Sequence, residues 1–473
     1  MSFWDSLSNF SNNIALIDEI TEETVTYDAL NSHATNFSNK FSFDEKKLFL
    51  LFCDNSIENI ILYTSILKSG NTVFLADSKM DESLRINLIN IYVPDFIIDS
   101  EKVYAKYSGS HLLKHYFLFE RIEEISSSKI FEPTAVLLST SGTTGSPKLV
   151  RLSNLNIQSN ANSIVEYLNI GVNERAITSL PISYSYGLSI INSHLTAGAS
   201  LLCTNKSIVT RDFWKSFDKF KCTSFAGVPY MYQTLQKIKF HTMNLPSLKT
   251  MTQAGGRLSE EYIKYFFNLS KEKGFNFFVM YGQTEATARI SYVPCEKLET
   301  KIGSIGIPIP EGRIELRKNS VDDDSGELVY HGKNVMLGYA SNREDLSNDD
   351  ELKGQLLTGD LARVDEDGFF YITGRTKRFL KIFGLRLNLD EVEKLIENQF
   401  QLPNACFGSD DKITVLVEVQ DLKPTELIKN KLIEIYKIHH SVIEIKQISQ
   451  IPVTSSGKKD YAKIKEVLNL VSD

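Results

Sequence analysis

Cysteine is scarce and poorly placed for a scaffold: Cys53, Cys203, Cys222, Cys295 and Cys406 stand far apart in 473 residues. An odd count, with no Cys-x-x-Cys spacing and no histidine cluster nearby, argues against a disulfide framework and a structural zinc site, and points to a reduced compartment. Long apolar runs are missing as well. None approaches about eighteen residues, so no membrane span is expected. The start, Met1-Ser-Phe-Trp-Asp-Ser, lacks a basic stretch followed by an apolar core, so no signal peptide is indicated and a cytoplasmic location is expected. Nor does one sign of charge dominate. The net charge is −7 with both signs interspersed, which speaks against nucleic acid or an anionic membrane as the main partner. Repeats and low-complexity tracts are absent.

What is present is material for a large core. With 42% hydrophobic residues the chain is expected to bury one extensively and to form more than one domain. Residues 47–53, 72–76 and 95–99 read as buried strands, and 56–67 and 82–92 as helices between them. This alternation predicts a parallel sheet flanked by helices, with ligands gathered at the carboxyl ends of the strands. It resumes with strands near 135–138, 175–180, 200–203, 224–229, 248–253 and 275–280, and helices at 153–168, 213–220 and 260–273. From about Gly303 to Tyr371 short β-like runs punctuated by glycine and acidic residues suggest a small β lobe. Residues beyond Arg375 read as a compact α+β domain, with helices at 389–400 and 425–436, a strand at 413–419 and a further segment at 443–451.

The strand ending at Leu138 runs into hydroxyls and glycines: Ser139, Thr140, Ser141, Gly142, Thr143, Thr144, Gly145 and Ser146, closed by Pro147 and Lys148. Glycines let backbone N–H groups approach an anion, hydroxyls add donors, and the lysine adds a compact positive charge, a composition suited to phosphate. An ordinary Walker A loop would need Gly-Lys-Ser/Thr after four residues from Gly142, and Pro147 and Leu149 break that spacing. Taken alone the cluster could equally be a surface loop without a ligand.

The segment from Thr140 to Lys148 resembles the phosphate loop of the adenylate-forming superfamily: acyl-CoA synthetases, the adenylation domains of peptide synthetases, and firefly-type luciferases. Further blocks follow in that family's order: Tyr281-Gly-Gln-Thr-Glu285, Thr358-Gly-Asp360, Gly374-Arg375, Lys381-Ile-Phe-Gly384-Leu-Arg386 and Ser456-Gly-Lys458. The resemblance runs from about residue 135 to about 460. It implies an α/β fold with a large N-terminal domain, residues 1–376, of parallel α/β sheets plus a small β lobe. A mobile α+β C-terminal domain, residues 377–473, would carry the catalytic lysine.

It also implies roles. The loop would hold the β- and γ-phosphates of ATP, Tyr281 would pack on adenine, Thr284 would contact the α-phosphate region and Glu285 would bind Mg²⁺. Asp360 would accept from the ribose hydroxyls beside Arg375, and Gly255 and Gly256 would let a strand end lie against adenine and substrate. Arg257 departs from the small residue many relatives carry there. Lys458 would bridge the attacking carboxylate and the α-phosphate, with Lys459 next to it. In a second step a thiol attacks after the small domain swivels about Lys377, with Gly384 lining the pantetheine channel. Outside these motifs, Tyr281 and Glu285 would read as a core aromatic and a surface acid, and Asp360, Gly255, Gly256 and Gly384 as turn residues.

The acid pocket falls on Pro181 to Gly187, where Tyr184 takes the place of a gating histidine, with Gly227, Val228 and Gly255 as further lining. Amino-acid-activating relatives place an aspartate after the gate to pair with the substrate ammonium, and here Ser185 stands in that slot. A buried ammonium without a carboxylate partner is costly, so an acid without an α-ammonium is expected. The acceptor would be coenzyme A or the phosphopantetheine of a separate carrier protein, since no carrier segment follows residue 460. The competing readings are amino-acid or acyl adenylation for such a carrier, a luciferase-like oxidation, and a non-catalytic nucleotide-binding protein. Against the last stands the presence together of Thr140, Lys148, Glu285, Asp360, Arg375 and Lys458.

Overall fold

The computed structural model describes the chain apart from residues 1, 101–103, 105, 123–128, 140–147, 319, 321–322, 376–378, 383–384, 410–411, 420–422, 437, 455–458 and 471–473. The chain packs as two compact units. The first takes residues 1–313 and 331–356, the second 314–330 and 357–473.

The first unit is built on two mixed sheets. In the eight-stranded sheet the parallel centre runs Thr134–Ser139, Thr72–Asp77, Leu48–Cys53 and Phe96–Asp99. These strands are near-continuous apolar runs because both faces are covered. Alternate residues go to separate cores: Phe49, Leu51, Val73 and Leu75 to one, Leu48, Leu50, Phe52 and Phe74 to the other. Antiparallel strands extend both sides, with Leu149–Ser153 and then Gly338–Ala340 beyond Thr134–Ser139. A hairpin of Tyr107–Leu113 and Tyr116–Arg121 lies beyond Phe96–Asp99.

The nine-stranded sheet has a parallel centre in the order Asn276–Tyr281, Thr250–Gln253, Ser224–Gly227, Arg175–Ile177, Ser200–Cys203 and Ile14–Asp18. Short antiparallel strands close its two edges. The helices between the strands start and stop on local signals. Ser153 and Asn156 form a reciprocal capping box for Asn154–Leu168, and Gly274 at φ +78° ends Glu260–Lys273. The strand expected over 175–180 stops at Ile177, three residues before the Leu180-Pro181 turn. Both tryptophans of the chain, Trp4 and Trp214, are buried in this unit.

The second unit contains a four-stranded sheet in the order Arg313–Arg317, Gly326–His331, Gln355–Val364 and Phe370–Arg375. It also holds the hairpin Phe379–Ile382 with Leu385–Asn388, and a three-stranded sheet of Asn404–Ser409, Lys412–Glu418 and Ile443–Ile448. Helices Leu389–Phe400 and Lys423–Tyr436 pack Val392, Ile396, Ile428 and Leu432 against that sheet.

Candidate active site

The carboxyl end of the strand Asn276–Tyr281 delivers the first cluster. Phe277 to Met280 are buried, and the chain then turns through Gly282, where a Cβ would lie 2.0 Å from the Ala288 carbonyl oxygen. Only glycine allows that approach. A single 3₁₀ turn, Thr284–Ala286, follows and is pinned from three directions. The Glu285 carbonyl accepts from the Met336 amide at 2.9 Å, Thr287 Oγ1 donates to the Asn334 carbonyl at 2.6 Å, and Asn334 Nδ2 donates to the Ala286 and Arg289 carbonyls at 2.8 Å each.

Pinning the turn fixes Glu285. Its Oε1 accepts from the Tyr339 hydroxyl at 2.8 Å, and Lys148 Nζ lies 5.7 Å from the centre of the same tyrosine ring. The register explains the meeting: Tyr339 pairs with Val150 in the antiparallel sheet, two residues after Lys148. Burial, and after it the Glu285 charge, raises the pKa of the Tyr339 phenol, so it stays a donor at neutral pH. An acidic and a basic residue expected to serve the phosphates thus share one aromatic neighbour. Tyr339 carried no motif signal of its own.

The acid-pocket residues meet at the start of the helix Ser185–Thr196. Tyr184 is its N-cap, and Gly187 in its first turn passes so close to Pro181 that a Cβ would lie 2.1 Å from that carbonyl oxygen. Buried Ser185 places its hydroxyl 3.1 Å from Thr284 Oγ1, joining the pocket to the Tyr281–Glu285 block. Gly255, at φ +81°, lies under the gate: a Cβ there would be 2.5 Å from the Tyr184 hydroxyl and 3.0 Å from Val228 Cγ1. Burial raises the Tyr184 pKa, with the Arg289 charge opposing. Gly227 and Val228 are buried beside it at the end of Ser224–Gly227, whereas Gly256 and Arg257 face solvent. The departure of Arg257 from the small residue of relatives thus falls on an exposed position. No carboxylate bonds to Ser185 among the described residues.

In the second unit Asp360 and Arg375 face each other across the antiparallel pair Gln355–Val364 and Phe370–Arg375. Arg375 Nε donates to Asp360 Oδ1 at 3.1 Å. Gly359, at φ +73°, supplies the left-handed step before Asp360, and the Thr358 hydroxyl ties the turn to the Leu328 carbonyl at 2.8 Å. Lys459 is committed elsewhere: its Nζ lies 2.8 Å from Glu393 and 3.0 Å from Glu397, and Tyr461 donates to Glu393 as well. Burial opposes the Lys459 charge, but the two glutamates outweigh it and hold the pKa above the ordinary lysine value. Thr140, Ser141, Gly142, Thr143, Thr144, Gly145, Lys377, Gly384 and Lys458 lie outside the described residues.

Sequence reasoning missed a further group behind the gate. Arg289, 2% exposed, lays its guanidinium 4.1 Å over the Tyr186 ring. It borders a cavity of about 170 Å³ shared with Ser189, Ser193, His194, Ala226 and Thr252. The only available signal was a charged residue inside the apolar run that follows Glu285.

Known proteins resemble this chain in sequence and fold. A putative acyl-CoA synthetase, YngI of Bacillus subtilis, is 28% identical over 69% of the chain, which spans only 62% of that relative's length. The 2-succinylbenzoate–CoA ligase of Staphylococcus epidermidis is 25% identical over 98% of both chains. The fold matches the solved structure of the o-succinylbenzoate CoA synthetase MenE of Bacillus subtilis in complex with its acyl-adenylate intermediate, with a TM-score of 0.78, 22% identity and 98% of each chain covered. The profile of the AMP-binding enzyme family matches residues 3–340, and the chain belongs to that family.

Proposed function

We propose that the protein activates a carboxylic acid with ATP, releasing pyrophosphate, and passes the acyl group to a thiol. Forming an acyl-adenylate brings a carboxylate against the α-phosphorus of a polyanion, so positioning and charge stabilisation dominate the barrier. The observation that carries the reading is the contact of Ser185 with Thr284: it puts the acid gate and the phosphate-facing turn within one hydrogen bond. Lys148, beside the phosphate loop of Thr140 to Gly145, offsets phosphate charge, and Tyr281 packs on adenine. Asp360, with Arg375, accepts from the ribose hydroxyls, a task an ionised carboxylate performs as a pure acceptor. Tyr184, Gly227, Val228, Gly255 and Gly256 shape the acid side, and Lys458 meets the attacking carboxylate.

Glu285 fits a magnesium ion that arrives with the nucleotide. Such an ion takes one or two carboxylates together with phosphate oxygens and water, and Glu285 is a single half-buried carboxylate whose one oxygen is held by Tyr339. Among the described residues no group of three or more His, Cys, Asp or Glu side chains could hold a metal on its own. When bound, magnesium would neutralise part of the phosphate charge.

The thiol is coenzyme A or the phosphopantetheine of a separate carrier protein, reached once residues 377–473 turn about Lys377 and bring Gly384 to the channel. Ser185 in the ammonium slot favours an acid over an amino acid. No described helix is long and apolar enough to cross a membrane, and we place the enzyme in the cytoplasm. The test is acid-dependent pyrophosphate release with Mg-ATP across fatty, aryl, hydroxy and amino acids. Turnover with one class, lost in Lys458→Ala, is expected, whereas ATP binding with no release for any acid would reduce the protein to a nucleotide binder.

A further inference from the structure

Four arginines are buried below a tenth exposed among the described residues: Arg85, Arg151, Arg289 and Arg343. Three have carboxylates: Arg85 with Asp99 at 2.6 Å, Arg151 with Glu351 at 3.1 Å, and Arg343 with Asp95 at 2.8 Å. Arg289 has none within ion-pair distance among the described residues. Its Nη1 donates to the neighbouring Ala288 carbonyl at 3.2 Å and its face rests on Tyr186; its buried Nε, like those of Arg151 and Arg343, has no acceptor among the described residues, so what sets Arg289 apart is the missing carboxylate. A guanidinium held out of water without a counter-charge is costly, and three companions in the same chain show how this fold ordinarily meets that cost.

The surroundings say where a counter-charge could enter. Arg289 lines the cavity of about 170 Å³, and a mainly apolar void of about 150 Å³ already holds a benzene ring. The other charges on its wall are accounted for: Lys249 pairs with Glu174 at 2.7 Å, and burial keeps His194 neutral. The cavity wall runs up to the neighbours of the acid pocket: Ala226 precedes Gly227, and the Thr252 carbonyl accepts from the Tyr186 hydroxyl at 2.9 Å. Ser185, Ser189 and Ser193 are spaced four apart and so share one face of the helix Ser185–Thr196; the first touches Thr284 and the other two line the cavity. That stripe spans about 12 Å at the helical rise. Arg289 lies 4.1 Å over the Tyr186 ring, and that ring stands 6.4 Å from the Tyr184 ring, so the guanidinium is one aromatic side chain removed from the gate.

We propose that the cavity behind Tyr184 is the seat for the distal end of the substrate, and that Arg289 pairs there with a second carboxylate, making the substrate a dicarboxylic acid with an apolar body between its two ends. This rests on the acid-activation reading above. Arg289 is then a specificity residue: it binds the end of the substrate that does not react.

The test compares matched acids, each monocarboxylic acid beside the same skeleton with a second carboxylate within about 12 Å of the first. Pyrophosphate release by the unmodified enzyme is expected to favour the diacids at least about tenfold in kcat/KM, the worth of a buried charge-assisted pair. Arg289→Met is expected to abolish that preference, chiefly through a raised KM for the diacid, and Arg289→Lys to restore part of it. Ser189→Leu fills the cavity while leaving the arginine in place, and it too should lower diacid use, which covers the case in which Arg289→Met folds poorly. Equal or better turnover of monoacids by the unmodified enzyme overturns the inference and leaves acid activation standing, as does a diacid preference that survives both Arg289→Met and Ser189→Leu. Absence of release with every acid overturns both.

Discussion

Gly255→Ala tests the pocket geometry most directly, because two separate penalties can be read from one position. The first is conformational. At φ +81° an L-residue costs about 1–2 kcal/mol, which should appear as a fall of a few degrees in Tm. The second is steric. The new Cβ would lie 2.5 Å from the Tyr184 hydroxyl, roughly 1 Å inside comfortable contact, so the gate must retreat. A displacement of that size beside the reacting carboxylate is expected to lower kcat/KM for the acid by about 100-fold. Removing the hydroxyl separates the two. With Tyr184→Phe the nearest ring atom stands 3.6 Å from the Cβ, an ordinary contact, so Gly255→Ala in that background should regain most of the lost kcat/KM while the Tm loss persists. The assay is pyrophosphate release for the four members of the cycle, with thermal melts in parallel. Strict additivity of the two substitutions in kcat/KM would refute the contact as the cause.

Two further outcomes concern other parts of the molecule. Burial holds His194 near a pKa of about 4 against an ordinary 6.5, so between those values the unfolded chain takes up a proton that the folded chain refuses. Stability from this group is complete above pH 6.5 and falls as the pH drops toward 4; by about pH 5 the loss should be about 2 kcal/mol in urea titrations, and absent in His194→Gln. Asp360→Asn should raise the KM for ATP at least about tenfold with little change in Tm. Its partner Arg375 has a side chain 61% exposed, and such ion pairs contribute at most about 1 kcal/mol.

Legibility in the sequence followed how local the cause was. The helices Glu82–Tyr92, Glu260–Lys273 and Leu389–Phe400 were readable because apolar spacing defines them within one stretch of chain. The facing of Asp360 and Arg375 was implied by motif and is realised by strand register. The N-terminal strands Ile14–Asp18 and Thr24–Thr26 and the helix Tyr27–Lys40 escaped notice, since asparagine, serine and threonine dilute their apolar content. The spacing of buried Tyr27, Leu30, Ala34 and Phe37 behind the Thr26 cap was nonetheless available. The hairpin of 107–121 was missed because one strand, Tyr107–Leu113, is largely exposed. Tyr339 had no local signature at all, and Arg289 only that of a lone charge in the run after Glu285. Each acquires its meaning only when strands far apart in the chain are laid side by side.

The placement of the two tryptophans has a spectroscopic consequence. Trp4 and Trp214 both lie in the unit of residues 1–313 and 331–356, and the second unit contains only tyrosine and phenylalanine as aromatic chromophores. Indole emission excited at its red edge therefore reports the melting of one unit alone, while far-ultraviolet ellipticity reports both. Any gap between the two curves reads out the independent unfolding of the C-terminal unit without a label or an engineered probe.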